Sequence, residues 1–438
     1  ASDVYKRQDV FSIKAFDFPE GFLWGSSTAA HQIEGDNIYS SNWYNEQKKV
    51  AAGWNGEASG KACNHYNMVE EDAELLTDLG HKAFRMGVEW ARIEPHEGEF
   101  CKEAAEHYIK ELALLKEKGL KTFVTLVHFS VPKWFADKGD FQSLDNMKYF
   151  ERYLNYILPQ ISPYVDFWNV INEFNLGLSE KQLTHKFNSV LYHARGYHII
   201  KQYSNKPVSS AHALVQYYGK RQNDPFDLAV QRYKDAVDHE FFFHAMRTGE
   251  LVVPGKDAIF DKEIKNTADF WSINLYTREM VDARKANFSS KRYTFTETRM
   301  LPMHFYLDEF FPECMIHNLT RLMDKPVYIT ENGCSCDNDD FRIVYLTEYL
   351  CAMSEAIKAG VDVRGYLYWS LLDNYEWWTF IPRFGLVSVD KENNFKRTPK
   401  PSAYFYKEII ENNGFKPEML KKYLKEMPRV DASLPILL

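Results

Sequence analysis

At 438 residues the chain is longer than a small domain needs and is of the length that one large α/β barrel takes. With 45% hydrophobic and 26% charged residues it fits the globular class, which excludes global disorder and a multispan membrane protein. The net charge of −8 is spread along the whole chain and leaves no basic footprint, so neither nucleic acid nor a membrane is an expected partner.

Residues 1–14 are polar and lack the apolar stretch of roughly 7–15 residues that marks a signal peptide. They read as a disordered tail set apart from a single domain over 15–438. In chain order, β-rich apolar runs at 22–28, 83–89, 122–128, 167–172, 208–214, 270–276, 327–330 and 365–370 predict strands. Helical patterns follow them in turn at 64–79, 103–118, 145–158, 187–204, 226–247, 313–323, 341–359 and 402–412. In the second of these, Tyr108, Leu112 and Leu115 form one apolar face and Gly119 supplies the stop. Strands alternating with long helices imply parallel pairing, and eight such units point to an α/β fold, a single closed (β/α)8 barrel with enlarged βα loops. A doubly wound open sheet is the structural alternative, but the chain has neither G-x-G-x-x-G nor G-x-x-x-x-G-K-[ST].

A barrel builds its active site at the C-terminal ends of its strands. Those ends carry Gln32 and Glu34, Arg85 and Glu89, His128, Asn172 and Glu173, Asn274 and Tyr276, Glu331 and Asn332, then Trp369, Asp373 and Glu376. Two of these segments, Phe167 to Glu173 and Pro326 to Glu331, are apolar strands finishing in an acid. Carboxylates facing each other across a barrel mouth suit glycoside hydrolysis, one as proton donor and one as nucleophile or water activator. The same pair would also suit a Mg²⁺ site or structural ion pairs.

A set of motifs then narrows the choice. Phe18-Pro-Glu-Gly-Phe-Leu-Trp-Gly25, His31-Gln-Ile-Glu-Gly35, Asn172-Glu173, Ile329-Thr-Glu-Asn-Gly333, Trp369-Ser-Leu-Leu-Asp-Asn-Tyr-Glu-Trp377 and Arg383-Phe-Gly-Leu386 resemble glycoside hydrolase family 1, in family order. The resemblance implies a retaining, exo-acting β-glycosidase on a TIM barrel, β-glucosidase-like, with Glu173 as acid/base and Glu331 as nucleophile about 5–5.5 Å apart. It also implies that Arg85 and Tyr276 hold the nucleophile ionised and oriented. Asn172 matches the residue that binds the sugar 2-hydroxyl, and Asn274 supports it. Gln32, His128, Glu376 and Trp377 match the set that reads the distal hydroxyls, with Trp369 as the aromatic platform. Small-molecule β-glycosides or oligosaccharides are the implied partners, and the chemistry needs no cofactor and no metal. Glu376 favours an unphosphorylated sugar, because an anion there repels a 6-phosphate. A 6-phospho-β-glycosidase, a transglycosidase and a non-catalytic glycan-binding pseudoenzyme are the alternatives.

The chain departs from the pattern at several points. Phe174 stands where proline usually follows the acid/base, Ile171 where threonine is common before Asn172, and Phe129 where tryptophan follows the strand-three histidine. The spacing from Glu376 to Phe384 is one residue short and contains an extra aromatic, Trp378, which predicts a remodelled loop over the sugar or aglycone site. The segment from Val88 to Ile93 looks more like archaeal and divergent branches.

Other signals carry less. His239 and His244 are five apart, not the four of a zinc protease helix, and read as helix packing. Cys334 and Cys336 have no second Cys/His cluster beside them and read as structural. Six sparse cysteines predict free thiols and a cytoplasmic setting, which makes the sequons at Asn287 and Asn318 chance matches. A homo-oligomer stays open, with no patch to argue for it.

Overall fold

The computed structural model describes residues 9–285, 288 and 309–428. Eight strands close into a parallel barrel in chain order: β1 Leu23–Ser27, β2 Ala83–Gly87, β3 Lys121–Val127, β4 Phe167–Asn172, β5 Val208–Ala213, β6 Trp271–Asn274, β7 Val327–Asn332 and β8 Val363–Trp369. Each pairs in parallel with both neighbours, and β8 closes on β1 with Gly365 opposite Leu23. The closed barrel is the predicted one, and the open-sheet alternative is excluded.

Helices α1 Val69–Asp78, α2 Lys102–Glu117, α3 Met147–Ile161, α4 Glu180–Tyr203, α5 Phe241–Thr248, α6 Cys314–Leu319, α7 Asp339–Lys358 and α8 Pro401–Asn412 alternate with the strands. Tyr108, Leu112 and Leu115 are the buried stripe of α2, and Gly119 takes a left-handed φ of 78° just beyond it, as its stop role requires. Helix α4 begins seven residues before the apolar pattern does, because Ser179 and Gln182 form a reciprocal capping box. The predicted helix over 226–247 is broken: a helix at Pro225–Asp235 passes through a π-turn at Ala236–Glu240 before α5. Helices at Ser41–Ala51 and Pro417–Tyr423 escaped the sequence reading. The tail boundary also moves, since Val10 and Ile13 are buried in the main core and residues Val10–Ser12 form a 3-10 turn. Asn287 lies outside the described residues; Asn318 is buried, with its amide donating to Cys314 O at 3.0 Å, so its sequon is inaccessible.

The barrel interior is layered. Phe123, Phe270, Tyr328, Ala83 and Leu367 form a separate apolar cluster, backed by Leu23 and Phe167, which sit at the first position of their strands. Phe123 and Phe167 stack with centroids 4.2 Å apart. This plug fills the N-terminal end, as side-chain layers do in such barrels. Toward the other end the interior turns polar at Thr125, Ser272 and Thr330, all buried. Among the described residues, no helix is long and apolar enough to cross a membrane.

Candidate active site

At the C-terminal end of the strands a cavity of about 280 Å³ opens. Nine of the eleven predicted site residues line it: Gln32, His128, Glu173, Asn274, Tyr276, Glu331, Trp369, Glu376 and Trp377. The other two, Arg85 and Asn172, stand directly behind and bond to the lining.

Arg85 is fully buried, and its fork explains why an arginine rather than a lysine belongs there. One terminal nitrogen contacts the Glu331 carboxylate, the other donates to Asn172 Oδ1 at 2.6 Å, and Nε donates to Thr125 Oγ1 at 3.0 Å. Tyr276 donates its hydroxyl to the second Glu331 oxygen at 2.8 Å. Burial and the nearby carboxyls push the Tyr276 phenol well above its ordinary range, so it stays a donor. The contacts expected around Glu331 are therefore present. Their electrostatic sum differs from expectation: burial raises the Glu331 carboxyl above the usual carboxylate range, and Arg85, Tyr276 and Asn274 only oppose that rise.

Glu173 follows the last residue of β4 with φ 48°. Its Oε1 accepts from Asn274 Nδ2 at 2.9 Å. Burial first, and the charge of Glu331 second, lift its pKa to about 8. Of the two acids, the one touching a guanidinium loses its proton first, and its charge then helps the other to keep one.

The amide of Asn172 is oriented by its neighbours. Its Oδ1 accepts from Arg85 and from Asn274 Nδ2, the latter at 3.1 Å, so Nδ2 is the group facing His128 Nε2, also at 3.1 Å. Burial and Arg85 drive the His128 pKa well below its usual value, which makes the ring neutral. With Nε2 accepting, the proton sits on Nδ1, which has no partner among the described residues. Gln32 donates Nε2 to Asn374 Oδ1 at 3.0 Å and to Tyr375 O at 2.8 Å, which leaves its buried Oε1 likewise without a partner. Trp369 donates Nε1 to Glu376 Oε1 at 3.0 Å. Burial lifts Glu376 to about 8, so the argument from repulsion of a phosphate loses force at neutral pH. The lining still argues against a phosphorylated sugar, because none of its described residues is Lys or Arg.

The remaining strand-end residues have other partners. Glu34 receives Arg92 Nε at 2.7 Å and Tyr108 OH at 2.9 Å; Asp373 accepts from Lys400 Nζ at 2.8 Å; Glu89 caps the short helix Trp90–Ile93. His239 meets His212 at 3.1 Å while His244 meets Glu250 at 2.8 Å, so the two do not converge. All six cysteines are unpaired, with Cys334 and Cys336 Sγ atoms 3.7 Å apart. No group of three or more potential metal ligands occurs among the described residues.

The sequence reading missed the outer wall. Phe129, Leu176, Val215, Thr277 and Phe384 line the cavity too, and the residues Phe129 and Leu176 are 42% and 40% exposed. Phe129 was noted only as a departure from pattern. Leu176 and Val215 sit on loops, where no periodicity marks them.

A model of the family described as glycosyl hydrolase family 1 matches residues 14–415. The chain is 29% identical to Beta-glucosidase A of Acetivibrio thermocellus, over 91% of its own length and 99% of that protein. It is 28% identical to the 6-phospho-beta-galactosidase of Leptotrichia buccalis, over 90% of its length and 98% of that protein. Among solved structures, a beta-glycosidase from Pyrococcus horikoshii superposes with a TM-score of 0.84 at 31% identity, covering 94% of this chain and 100% of that one. The chain belongs to glycosyl hydrolase family 1, and it is a glycoside hydrolase.

Proposed function

We propose that the protein is a retaining, exo-acting β-glycosidase that hydrolyses terminal unphosphorylated β-D-glycosides, glucosides foremost, by double displacement. The observation that carries this reading is the unequal company of two carboxyls in one cavity: Glu331 touches a guanidinium and a phenol, while Glu173 touches an amide and feels the charge of Glu331. That asymmetry suits a nucleophile and a proton donor respectively.

In the first displacement a Glu331 oxygen forms a bond to the anomeric carbon while the bond from that carbon to the aglycone oxygen breaks. The proton of Glu173 passes to the leaving oxygen. In the second, Glu173, now a carboxylate, takes a proton from water as the water oxygen attacks the same carbon and releases Glu331. Arg85 and Tyr276 take up the charge returned to Glu331 at the end of the cycle. Asn172 has one amide hydrogen beyond that given to His128, available to a sugar 2-hydroxyl. Gln32, His128 and the Glu376 carboxyl, which line the cavity together with the Trp369 ring, are the polar side chains available to read the distal hydroxyls. A site built to pair hydroxyls rejects a substrate lacking them, because its buried polar groups are then left unmatched. The names of relatives, two called Beta-glucosidase A and one 1,4-beta-D-glucan glucohydrolase, support glucose as the preferred sugar. Six unpaired cysteines support a cytoplasmic setting.

The test is a panel of 4-nitrophenyl β-glycosides with the wild type and Glu331→Ala. Glucoside turnover that vanishes in the variant is expected. Activity on a 6-phospho-glucoside alone, or full activity in the variant, would overturn the reading.

A further inference from the structure

The turn that presents Glu173 is anchored immediately after it. Glu173 N donates to Ala211 O at 2.8 Å, and its φ of 48° is a left-handed conformation that residues with a Cβ adopt only when their surroundings impose it. Phe174, standing where the family has proline, is buried edge-on against Phe241 and Phe242, with centroids 6.2 and 5.3 Å away. Asn175 comes next and is fully buried. Its Oδ1 accepts from Ala213 N at 3.1 Å, while its Nδ2 donates to Ala213 O and to Asp238 O, both at 2.9 Å.

The side-chain amide thus pairs both backbone groups of Ala213, the last residue of β5 and part of the cavity wall. From there the connection returns to the acid: Leu214 N donates to Asn274 O at 2.8 Å, and Asn274 Nδ2 donates to Glu173. The second anchor is firm as well. Asp238 lies in the π-turn, and its carboxylate is paired with the buried Lys186 ammonium and accepts from Tyr217 OH at 2.5 Å.

We propose that Asn175 is a positioning residue for the acid/base: by locking the turn to Ala213 it supplies the rigidity that proline at position 174 would otherwise provide, and so aims the Glu173 carboxyl at the leaving oxygen. The proposal rests on Glu173 being the acid/base. Asn175 does not itself line the cavity, so its effect on the reaction is indirect, through the turn that carries Glu173 and through the wall residue Ala213. Proton donation matters in proportion to how poor the leaving group is, whereas a general loss of structure lowers all rates together.

The experiment compares kcat/KM for phenyl and 2,4-dinitrophenyl β-glucosides, on the same preparation, in wild type, Asn175→Ser, Asn175→Asp and Glu173→Gln. An unfolded fraction cancels in the ratio of the two substrates, and a second variant covers the failure of one to fold. In the Asn175 variants the phenyl substrate should lose about 10–100-fold, and the 2,4-dinitrophenyl substrate should stay within about threefold. Glu173→Gln should show the same selectivity more strongly. An unchanged ratio in both Asn175 variants, with Glu173→Gln behaving as expected, would overturn the positioning role alone. An unchanged ratio in Glu173→Gln would overturn the acid/base reading beneath it.

Discussion

Glu331 is buried and Glu173 half-buried, and what separates them further is the charge each one meets. For the proposed chemistry Glu331 must be ionised and Glu173 protonated. As pH rises through the Glu331 pKa, which burial has raised, the nucleophile is unmasked and activity climbs. As pH rises further through about 8, Glu173 loses its proton and activity falls. The expected profile of kcat/KM for phenyl β-glucoside is a bell whose alkaline limb lies near 8. Glu173→Gln should remove that limb, and its persistence would assign the titration to another group, with Glu376 the first to examine because it too is lifted to about 8. Glu173 and Glu331 were legible in the sequence because each comes at the end of an apolar run, Glu173 just after β4 and Glu331 next to last in β7, where a carboxylate is out of place in a core. Their raised pKa values were not legible, since burial depends on how the loops close over them.

The loop over 375–380 shows where local pattern stops informing. Its shortened spacing and extra Trp378 were visible in the sequence; the clamp that shapes it was not, since it comes from over 300 residues away. Trp377 and Trp378 both hold positive φ, 38° and 83°. Glu57 N donates to Trp378 O at 2.8 Å, its carbonyl accepts from Tyr375 OH at 2.8 Å, and its carboxylate accepts from Phe380 N at 2.7 Å and Thr379 Oγ1 at 3.1 Å. Lys49 covers the Trp378 ring at 3.5 Å, and Trp54 meets it edge-on at 5.3 Å. The strained pair carries Trp377 and adjoins Glu376, so loosening it should blur sugar recognition before it slows chemistry. Glu57→Ala should raise KM for 4-nitrophenyl β-glucoside about 10-fold, with a smaller change in kcat, while Glu57→Gln, which still accepts both bonds, should keep KM near wild type. Equal KM values in all three proteins would show that the loop holds its shape without this carboxylate.

Across the whole molecule, stability and chemistry occupy opposite ends of the barrel. The aromatic plug of Phe123, Phe167, Phe270 and Tyr328 closes the N-terminal end, and the polar layer of Thr125, Ser272 and Thr330 leads from it to the site. Phe123→Ala should cost about 3–5 kcal/mol of stability in chemical denaturation while leaving the kcat of the folded enzyme close to wild type. A large fall in kcat with little loss of stability would mean that the two ends are coupled. The eight strands were readable from short β-rich runs separated by amphipathic helices, which is local information. The break at the π-turn and the burial of Val10 and Ile13 were not, because both are set by contacts between distant segments.

The most direct measurement is to trap the intermediate. A 2-deoxy-2-fluoro-β-glucoside with a 2,4-dinitrophenyl leaving group enters the first displacement, while its fluorine slows the second by destabilising the positive charge that develops at the anomeric carbon. Peptide mapping by mass spectrometry should find the fluorosugar on Glu331, with inactivation in step with labelling. A sugar on Glu173, or steady inversion of configuration with no labelled peptide, would contradict the assignment of Glu331 as the nucleophile of a retaining enzyme.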